Sequence, residues 1–392
     1  MAHYKYLIVG GGMTADAAVQ GIREIDQQGS IGMISRELHP PYNRPPLSKA
    51  LWKGDPIDTI WRGTEKRNVT MHLGRTAALL DVNKKMIADD IDNNYTFDKL
   101  LLATGGTPRR LPYGGNDIIY YRTLDDYLAL RLIAEKKDRF AIIGGGFIGC
   151  EVAAALAMNG KKVTMLFPEE GLGFRIFPAD MARFLNDFYR SKNVEILAGE
   201  SVTNAEKRGA SYVVQTKSGK EIPADCIIAG IGIQPDITLA TVAGLPCDNG
   251  IIVDDYLRTT HPDIYAAGDV ANFHSPILGK RLRLEHEDNA NTMGKIAGHN
   301  MAGNTEPYHY IPMFYSDLFD LGYEAAGDLD SRLETVADWK EPFREGVVYY
   351  LQDDRVRGVL LVNTWGQVDN ARKLIEEKGP FSAQNLKNRL PA

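Results

Sequence analysis

YLIVGGGMTA at positions 6–15 and FAIIGGGFIG at positions 140–149 are two stretches that follow the same pattern with different residues. In each stretch, four apolar residues typical of a buried strand lead directly into three glycines, and a helix-like segment follows. The spaced residues are Gly10, Gly12 and Ala15 in the first stretch and Gly144, Gly146 and Gly149 in the second. Glycines at this spacing allow a tight turn, bare backbone against a pyrophosphate and close helix packing. We therefore predict two dinucleotide-binding units.

The resemblance between the two stretches continues further along the chain, as expected for an internal repeat. Each glycine turn is followed by a helical segment and a second strand, at 31–35 in the first unit and at 162–167 in the second. Each unit later has an apolar strand that ends in glycine, KLLLATGG at 99–106 and CIIAGIG at 226–232. The order of elements is thus the same in both units and predicts two Rossmann-like α/β folds.

The residues AAGDV at 266–270 look like a return to the first unit after the second is complete. A nucleotide site built from two distant stretches can enclose a large, permanently bound ligand, which favours FAD for the first unit. The second unit is a compact insertion of the size of one small domain. It favours NADH, which must enter and leave.

The domain boundaries follow from this interpretation and from a change in the residue pattern near Pro312. Two β-rich runs and a helix follow this point. We predict an α/β protein with two Rossmann-like domains and a small α+β C-terminal domain. The predicted ranges are 1–107 with 233–309 for FAD, 108–232 for NAD, and 310–392 for the C-terminal domain, a dimerisation or interface domain.

An acidic side chain is expected at the end of the second strand of each unit, where it accepts a hydrogen bond from the adenosine ribose. Glu37 fits this position in the first unit and Glu169 in the second. A carboxylate repels the 2'-phosphate of NADPH, so we expect NADH to be preferred, with Arg175 able to moderate the preference. The alternative is that both are ordinary solvated carboxylates.

Composition narrows the class of protein further. Hydrophobic residues make up 44% of the chain and charged residues 24%, which is typical of a soluble globular protein. The formal net charge is -6, and the basic residues are scattered, which argues against nucleic acid as a partner. The apolar stretches are too short to span a membrane, and the N-terminus does not resemble an export signal, so a cytoplasmic location is expected.

Three cysteines, Cys150, Cys226 and Cys247, form no CxxC pair and no metal-ligand cluster. We interpret all three as reduced and structural, and we expect no metal site.

Six motifs resemble one family. The motifs ATGGTPR at 103–109, AGD at 267–269 and PYNRPPLSK at 41–49 resemble the FAD-dependent pyridine nucleotide-disulfide oxidoreductase superfamily, in its NADH:ferredoxin reductase branch. LFPE at 166–169, LEHED at 284–288 and MFYSD at 313–317 are similar to apoptosis-inducing factor and its bacterial relatives. The resemblance covers nearly the whole chain.

The resemblance implies roles for individual residues. Lys49, Glu151 and His286 are the candidate catalytic residues, with a Glu151 to Lys49 pair at the flavin edge, where a cation would stabilise the electron-rich reduced ring. Phe147 and Glu151 are implied at the nicotinamide, and Asp269 at the ribityl chain of FAD. The residues expected at FAD are Gly10, Gly12, Ala15, Glu37, Arg44, Lys49, Thr104, Gly105, Arg109, Gly268, Asp269, Glu285, His286 and Tyr315. Those expected at NAD are Gly144, Gly146, Phe147, Gly149, Glu151, Glu169 and Gly232.

Some residues depart from the family pattern. The redox-active cysteines of disulfide reductases have no counterpart near 45–49, so thiol chemistry is not expected, and Cys150 is interpreted as a small buried thiol. Tyr315 stands where ferredoxin reductases usually have Trp, and Arg36 where apoptosis-inducing factor has an acidic residue. On chemistry alone, Lys49 is also consistent with a surface lysine and His286 with a hydrogen-bonded histidine at a domain seam.

Two functional hypotheses follow. The first is an FAD-dependent oxidoreductase that takes hydride from NADH and passes electrons to an acceptor: a ferredoxin, a rubredoxin, a quinone, monodehydroascorbate or oxygen. The second is a redox-sensing flavoprotein with slow turnover, in which reduction controls formation of a homodimer. A degenerate flavoprotein scaffold is disfavoured because both glycine turns are intact.

Overall fold

The computed structural model describes residues 1–390. Its helices are α1 (Met13–Ile25), α2 (Leu124–Lys136), α3 (Phe147–Met158), α4 (Ala179–Ser191), α5 (Thr238–Val242), α6 (Glu287–Met301), α7 (Val368–Glu376) and α8 (Ala383–Leu386). The first twelve strands are β1 (Ala2–Val9), β2 (Ile31–Ser35), β3 (Val69–Leu73), β4 (Ala77–Asp81), β5 (Met86–Asp89), β6 (Asn94–Leu102), β7 (Gly106–Pro108), β8 (Ile118–Ile119), β9 (Arg139–Ile143), β10 (Lys162–Phe167), β11 (Val194–Ala198) and β12 (Val202–Arg208).

The remaining strands are β13 (Ser211–Thr216), β14 (Glu221–Ala224), β15 (Cys226–Ala229), β16 (Ile233–Pro235), β17 (Ile251–Ile252), β18 (Ile264–Ala266), β19 (Ala271–Ser275), β20 (Lys280–Leu282), β21 (Met313–Leu318), β22 (Leu321–Gly327), β23 (Glu334–Glu341), β24 (Glu345–Gln352) and β25 (Arg355–Val362). The expected α/β class is confirmed, and each of the two glycine turns joins a strand to a helix.

Contacts divide the chain into two compact units. Unit 1 contains Met1–Asn43, Asp58–Thr107 and Gln234–Pro312, and unit 2 contains Arg44–Ile57, Pro108–Ile233 and Met313–Ala392. The short segment 44–57 therefore groups with unit 2, although the chain on both sides of it belongs to unit 1. The division into three functional domains stays a prediction.

Unit 1 is built around a sheet in the order β3-β2-β1-β6-β5-β4, with β18 paired to β6. β1 runs parallel to β2 and to β6, which makes it a central strand. Its residues Tyr6, Leu7, Ile8 and Val9 are all buried, as expected for a strand covered on both faces. β18 pairs with β6 in parallel, so the late segment at 264–266 does return to the first sheet.

Helices α1 and α6 of unit 1 cross at unusually close range through glycines. A Cβ atom on Gly298 would lie 2.2 Å from the backbone oxygen of Ala18, and one on Gly294 would lie 2.4 Å from that of Thr14. On the other helix, a Cβ atom on Gly21 would lie 2.2 Å from the Lys295 oxygen. Only hydrogen atoms fit at these three positions, so the crossing holds α1, which begins directly after the first glycine turn, against α6.

Unit 2 contains a parallel sheet in the order β11-β10-β9-β15-β8 and an antiparallel sheet in the order β12-β13-β14. β9 is central and takes the place that β1 has in unit 1, with Phe140–Ile143 buried. The end of the chain adds the antiparallel sheet β21-β22-β25-β24-β23, with α7 packed against β25 and β22. The two β-rich runs and the helix predicted between residues 346 and 377 are thus confirmed, with bounds that differ by at most one residue.

The segment 44–57 is anchored within unit 2 by Trp52, which is 4% exposed. Its indole Nε1 donates to the Leu47 oxygen at 2.8 Å, and Asn159 Nδ2 donates to the Trp52 oxygen at 3.1 Å. The Tyr121 hydroxyl also donates to the Leu47 oxygen. These bonds fix the short 3₁₀ turns that carry Ser48 and Lys49.

Candidate dinucleotide and redox site

The first glycine turn lies at the carboxyl end of β1. The Gly10 amide donates to the Ile34 oxygen at 2.8 Å, and the backbone of Gly10 has a φ of +130°, which favours glycine. A Cβ atom at Gly10 would lie 2.1 Å from the Ala103 oxygen, at the end of β6. The turn therefore requires glycine and exposes bare backbone, as a pyrophosphate site needs.

The second glycine turn repeats this geometry. The Gly144 amide donates to the Leu166 oxygen at 2.9 Å, and the φ of Gly144 is +111°. A Cβ atom there would lie 2.4 Å from the Gly230 oxygen, and one on Gly149 would lie 2.2 Å from the Gly144 oxygen. Gly230 in unit 2 thus corresponds to Ala103 in unit 1, and Gly149 to Ala15, which is fully buried in α1.

The amino ends of α1 and α3 carry no side-chain cap. Their N-cap residues are Gly12 and Gly146, and neither helix has a side-chain hydrogen bond at this position. Helices α4 to α7 also lack a side-chain cap, whereas the N-cap residue of α2, Thr123, forms a complete capping box. Uncapped amides at a helix N-terminus, together with the helix dipole, suit a phosphate group. The residues present at both turns therefore fit the two dinucleotides, FAD and NADH.

The acidic residues predicted at the ribose positions follow β2 and β10. Glu37 lies two residues after β2, and its Oε2 accepts from the Tyr42 hydroxyl at 2.5 Å. Glu169 lies two residues after β10 and is 3.8 Å from Arg175, whose side chain is 89% exposed. Arg36 pairs instead with Asp236 at 3.7 Å. The ribose contacts of Glu37 and Glu169 stay predictions.

Other residues predicted at FAD lie in the loops of unit 1. Thr104 Oγ1 donates to the Asp236 oxygen at 2.7 Å, and Gly105 has a φ of +64°. A Cβ atom on Gly268 would lie 2.2 Å from Thr14 Oγ1, so the late Ala-Gly-Asp segment lies beside the first turn of α1. Arg283 donates to the Asp269 oxygen at 3.1 Å and pairs with Glu285 at 2.7 Å.

His286 is the N-cap residue of α6, and burial lowers the pKa of its imidazole to about 4, while the charge of Asp269 acts in the opposite direction. The ring is therefore neutral at pH 7, and it can donate one hydrogen bond and accept another without carrying a charge. The predicted proximity of His286 to the flavin stays a prediction.

This lowered pKa predicts an acid-dependent loss of stability. The unfolded chain binds a proton at His286 as the pH falls below the ordinary value of 6.5, whereas the folded protein does so only near pH 4. Stability is thus lost between these values as the pH falls, by roughly 2 kcal/mol for this group. We expect His286→Asn to flatten the pH dependence of urea unfolding from pH 6.5 to 4.5. The same change at the exposed His274 should leave the slope unaltered, and equal slopes for both variants would contradict the assignment.

A buried ion pair forms the centre of the candidate site in unit 2. Lys49 Nζ lies 2.6 Å from Glu151 Oε1, with side-chain exposures of 11% and 5%. The same ammonium group lies 5.4 Å from the ring centroid of Tyr315. The structure therefore brings together Lys49, Glu151 and Tyr315, which stand far apart in the sequence, and the surface-lysine alternative for Lys49 is wrong.

Three further residues predicted in the site lie in unit 2. The Phe147 ring packs edge-on against Phe314 at 5.3 Å between centroids and is 37% exposed. The Arg109 amide donates to the Gly232 oxygen at 3.0 Å, while its side chain is exposed. Arg44 Nη1 donates to the Arg122 oxygen at 3.1 Å. Their contacts with either dinucleotide stay predictions.

Two serines were missed in the sequence. Ser48 and Ser316 both donate hydrogen bonds to the Glu151 carboxylate, at 2.5 Å and 2.6 Å. Each lies inside a motif that supported the family resemblance, next to Lys49 and next to Tyr315. Position within the motif was therefore a usable signal, but the common acceptor of both hydroxyls becomes visible only in the folded chain.

Burial keeps the thiols of Cys150 and Cys226 protonated. Burial raises the pKa of Cys150 and of Cys226 to about 12, and the charges of Glu151 and Asp225 act in the same direction. All three cysteines are free thiols, and Cys247 is partly buried. A thiol with such a pKa is a poor nucleophile, which agrees with a structural role for Cys150.

Within residues 1–390, which the structure describes, no helix has the length and apolarity that crossing a membrane requires. The same residues contain no group of three or more His, Cys, Asp or Glu side chains suited to a metal ion.

The mixed sheet of unit 1 and the parallel sheet of unit 2 each have an uncapped glycine turn at the carboxyl end of a central parallel strand, and this arrangement defines the class of protein that binds two dinucleotides. Residues 4–294 match the family model of the pyridine nucleotide-disulphide oxidoreductases. The chain belongs to this family. Residues 297–342 and 337–377 match the C-terminal model of mitochondrion-associated apoptosis-inducing factor.

Individual relatives agree with this assignment. The chain is 32% identical to mitochondrial apoptosis-inducing factor 1 of Dictyostelium discoideum, over 95% of this chain and 78% of that protein. It is also 32% identical to the ferredoxin reductase subunit of a 5,5'-dehydrodivanillate O-demethylase of Sphingobium sp., over 96% and 94%. The crystal structure of the covalent putidaredoxin reductase-putidaredoxin complex matches with a TM-score of 0.92 at 28% identity, over 98% and 96%. The chain is an FAD-dependent NADH oxidoreductase, related both to ferredoxin reductases and to apoptosis-inducing factor.

Proposed function

We propose that this protein oxidises NADH and passes the electrons to a ferredoxin-type iron-sulfur protein. The observation that carries the proposal is the pair of uncapped glycine turns together with the buried Lys49 to Glu151 pair. Relatives that are named as ferredoxin reductases, or crystallised with their redoxin, support the choice of acceptor. FAD, when bound, supplies the chemistry that links a two-electron donor to one-electron acceptors.

The chain's own residues have three tasks in this proposal. The backbone of the first turn, with Gly10 and Gly12, holds the pyrophosphate of FAD, and that of the second turn, with Gly144 and Gly146, holds that of NADH. Lys49 presents a fixed positive charge, and Glu151 keeps that ammonium group in place. The carboxylate of Glu169 accepts a hydrogen bond from the adenosine ribose of NADH and repels a 2'-phosphate.

Anaerobic stopped-flow reduction followed by mixing with an acceptor tests the proposal. We expect NADH to bleach the flavin absorbance with a kcat/KM at least about tenfold above that of NADPH. A repulsion of about 1.4 kcal/mol between the Glu169 carboxylate and the 2'-phosphate of NADPH is enough for a tenfold difference. The reduced protein is then mixed with a [2Fe-2S] ferredoxin, a rubredoxin, a quinone, monodehydroascorbate or oxygen. Fastest oxidation by the ferredoxin supports the proposal. Equal efficiency with NADH and NADPH, or faster oxidation by any other acceptor, contradicts it.

Replacement of the buried lysine tests the site within this function. We expect Lys49→Met to slow flavin reduction by NADH about tenfold or more, since a charge-assisted contact contributes about 1.5–3 kcal/mol. Lys53→Met is the matched control because Lys53 lies on the same segment and is exposed. A normal rate of reduction in Lys49→Met would remove Lys49 from the site.

A redox sensor is the second candidate function. The match of the C-terminal part to the apoptosis-inducing factor model favours it. In that case reduction by NADH is slow, a long-wavelength absorbance band persists, and the molecular mass doubles on reduction as a homodimer forms. Light scattering before and after addition of NADH, combined with the turnover rate, separates the two candidates.

The cytoplasmic location stays a prediction.

A further inference from the structure

The Glu151 carboxylate receives three hydrogen bonds from two distant stretches of unit 2. Oε2 accepts from Ser48 at 2.5 Å, while Oε1 accepts from Ser316 at 2.6 Å and from Lys49 at 2.6 Å. Ser48 and Ser316 are 6% and 1% exposed, so water does not compete for these bonds. Each carboxylate oxygen is thus bonded to one serine hydroxyl, and only Oε1 is bonded to the lysine.

A buried ion pair needs such additional donors. Removing a carboxylate and an ammonium group from water costs several kcal/mol for each ion, and their attraction offsets this cost only where further hydrogen bonds complete the pair. Lys49 and Glu151 also have long side chains with several rotatable bonds. Without the serines, Glu151 would be held by Lys49 alone, and both groups could rotate together to other positions.

Both serines are held rigidly. Ser48 ends the 3₁₀ turn Pro45–Ser48, whose Leu47 oxygen accepts from the indole of Trp52. Ser316 lies in β21, directly opposite Tyr323 of β22. Burial raises the pKa of Tyr323 well above its ordinary value.

The hydroxyl of Ser316 has one proton, which it donates to Glu151.

We propose that Ser48 and Ser316 are positioning residues that hold Glu151 and, through it, the ammonium group of Lys49. The serines act without contact with the substrate: they fix the place of a charge that the reaction uses. This inference rests on the proposed function only for its effect on the rate of flavin reduction. The positioning itself can be measured without turnover.

Chemical labelling measures the positioning directly. Flavin-containing protein is treated briefly with acetic anhydride, and acetylation of each lysine is quantified by mass spectrometry, with the exposed Lys53 as internal reference. We expect Lys49 to react severalfold faster in Ser48→Ala and Ser316→Ala than in the natural protein. Ser191→Ala is the matched control, because the Ser191 hydroxyl donates only to the Phe188 oxygen of its own helix. Unchanged labelling of Lys49 in both serine variants would overturn the inference.

Stopped-flow reduction in a double-mutant cycle tests the effect on the reaction. We expect each serine variant to lower the limiting rate of flavin reduction about tenfold, because each variant loses one hydrogen bond to a charged group. The dissociation constant of NADH should change little. In a Lys49→Met background, we expect the same serine changes to alter the rate less than about twofold, because the serines act through Lys49.

The outcomes separate this inference from the proposed function. If NADH does not reduce the natural protein, or if Lys49→Met is reduced at the normal rate, the proposed function or its site fails, while the labelling experiment still decides the positioning. If Lys49→Met is slow and both serine variants are normal, the positioning role fails alone. Serine effects of equal size with and without Lys49 also overturn it. Circular dichroism and flavin content confirm that each variant is folded and loaded.

Discussion

Gly10→Ala yields a protein that is isolated without flavin, whereas Gly144→Ala yields a yellow protein that NADH no longer reduces efficiently. Both glycines have φ values that disfavour other residues, +130° and +111°. A methyl group at Gly10 would lie 2.1 Å from the Ala103 oxygen, and one at Gly144 would lie 2.4 Å from the Gly230 oxygen. Each substitution therefore displaces one glycine turn only.

The size of the effect follows from strain and overlap together. An unfavourable φ costs about 1–3 kcal/mol, and insertion of a methyl group into a packed position costs a similar amount. If about 3 kcal/mol appears as lost binding at the second turn, kcat/KM for NADH falls about a hundredfold or more. Dithionite should still bleach the flavin of Gly144→Ala, because the first turn is unaltered.

Absorbance at 450 nm and NADH titration measure the two effects. Gly160→Ala is the matched control: its φ is +74°, but a methyl group there would meet no atom within 4 Å. A control that behaves normally shows that contact with the opposite strand, and not the backbone angle alone, causes the losses. If Gly10→Ala retained flavin and Gly144→Ala lost it, the assignment of FAD and NADH to the two turns would be wrong.

The double change Gly294→Ala and Gly298→Ala lowers the free energy of unfolding by about 3 kcal/mol. Helix propensity alone predicts the opposite sign, because alanine is favoured over glycine inside a helix by about 1 kcal/mol. The added methyl groups would lie 2.4 Å and 2.2 Å from backbone oxygens of α1. Backbone atoms have no alternative rotamer, so α1 and α6 must separate.

Urea unfolding followed by circular dichroism measures this loss. Thr292→Ala, on the same helix but only half-buried, is the control and should change stability by less than about 0.5 kcal/mol. Because α1 begins at Met13, directly after the first glycine turn, we also expect the double variant to bind FAD more weakly. A stabilised double variant would show that the crossing tolerates side chains and that propensity dominates.

The two glycine turns illustrate how far a local pattern can be interpreted. A strand, three glycines and a helix occupy consecutive residues, and all the constraints that select glycine at Gly10 and Gly144 act within that short stretch or on its paired strands. Strand and helix positions, the class of fold and the two cofactors could therefore be predicted. The Glu169 position after β10 was predictable for the same reason.

Asp16 shows where local reasoning ends. It is fully buried in the first turn of α1, and its carboxylate accepts from Arg62 Nε at 2.7 Å and from Thr64 Oγ1 at 2.5 Å. The side chain of Arg62 also donates to Asn43 Oδ1 at 2.7 Å. An aspartate at a helix start is usually exposed, and Arg62 and Thr64 lie more than forty positions away from Asp16 in the sequence. Nothing near Asp16 in the sequence indicates them.

Local order in the chain was thus sufficient for the class of fold, for the two dinucleotide turns and for the residues of the family motifs. Folding alone decided that segment 44–57 joins unit 2, that glycines let α1 and α6 meet at backbone distance, and that Ser48 and Ser316 share one carboxylate. The physical reason is the sequence separation over which each kind of interaction acts. Periodicity and turn geometry act between neighbours in sequence, whereas desolvation and hydrogen-bond partners depend on which distant residues the fold places in contact.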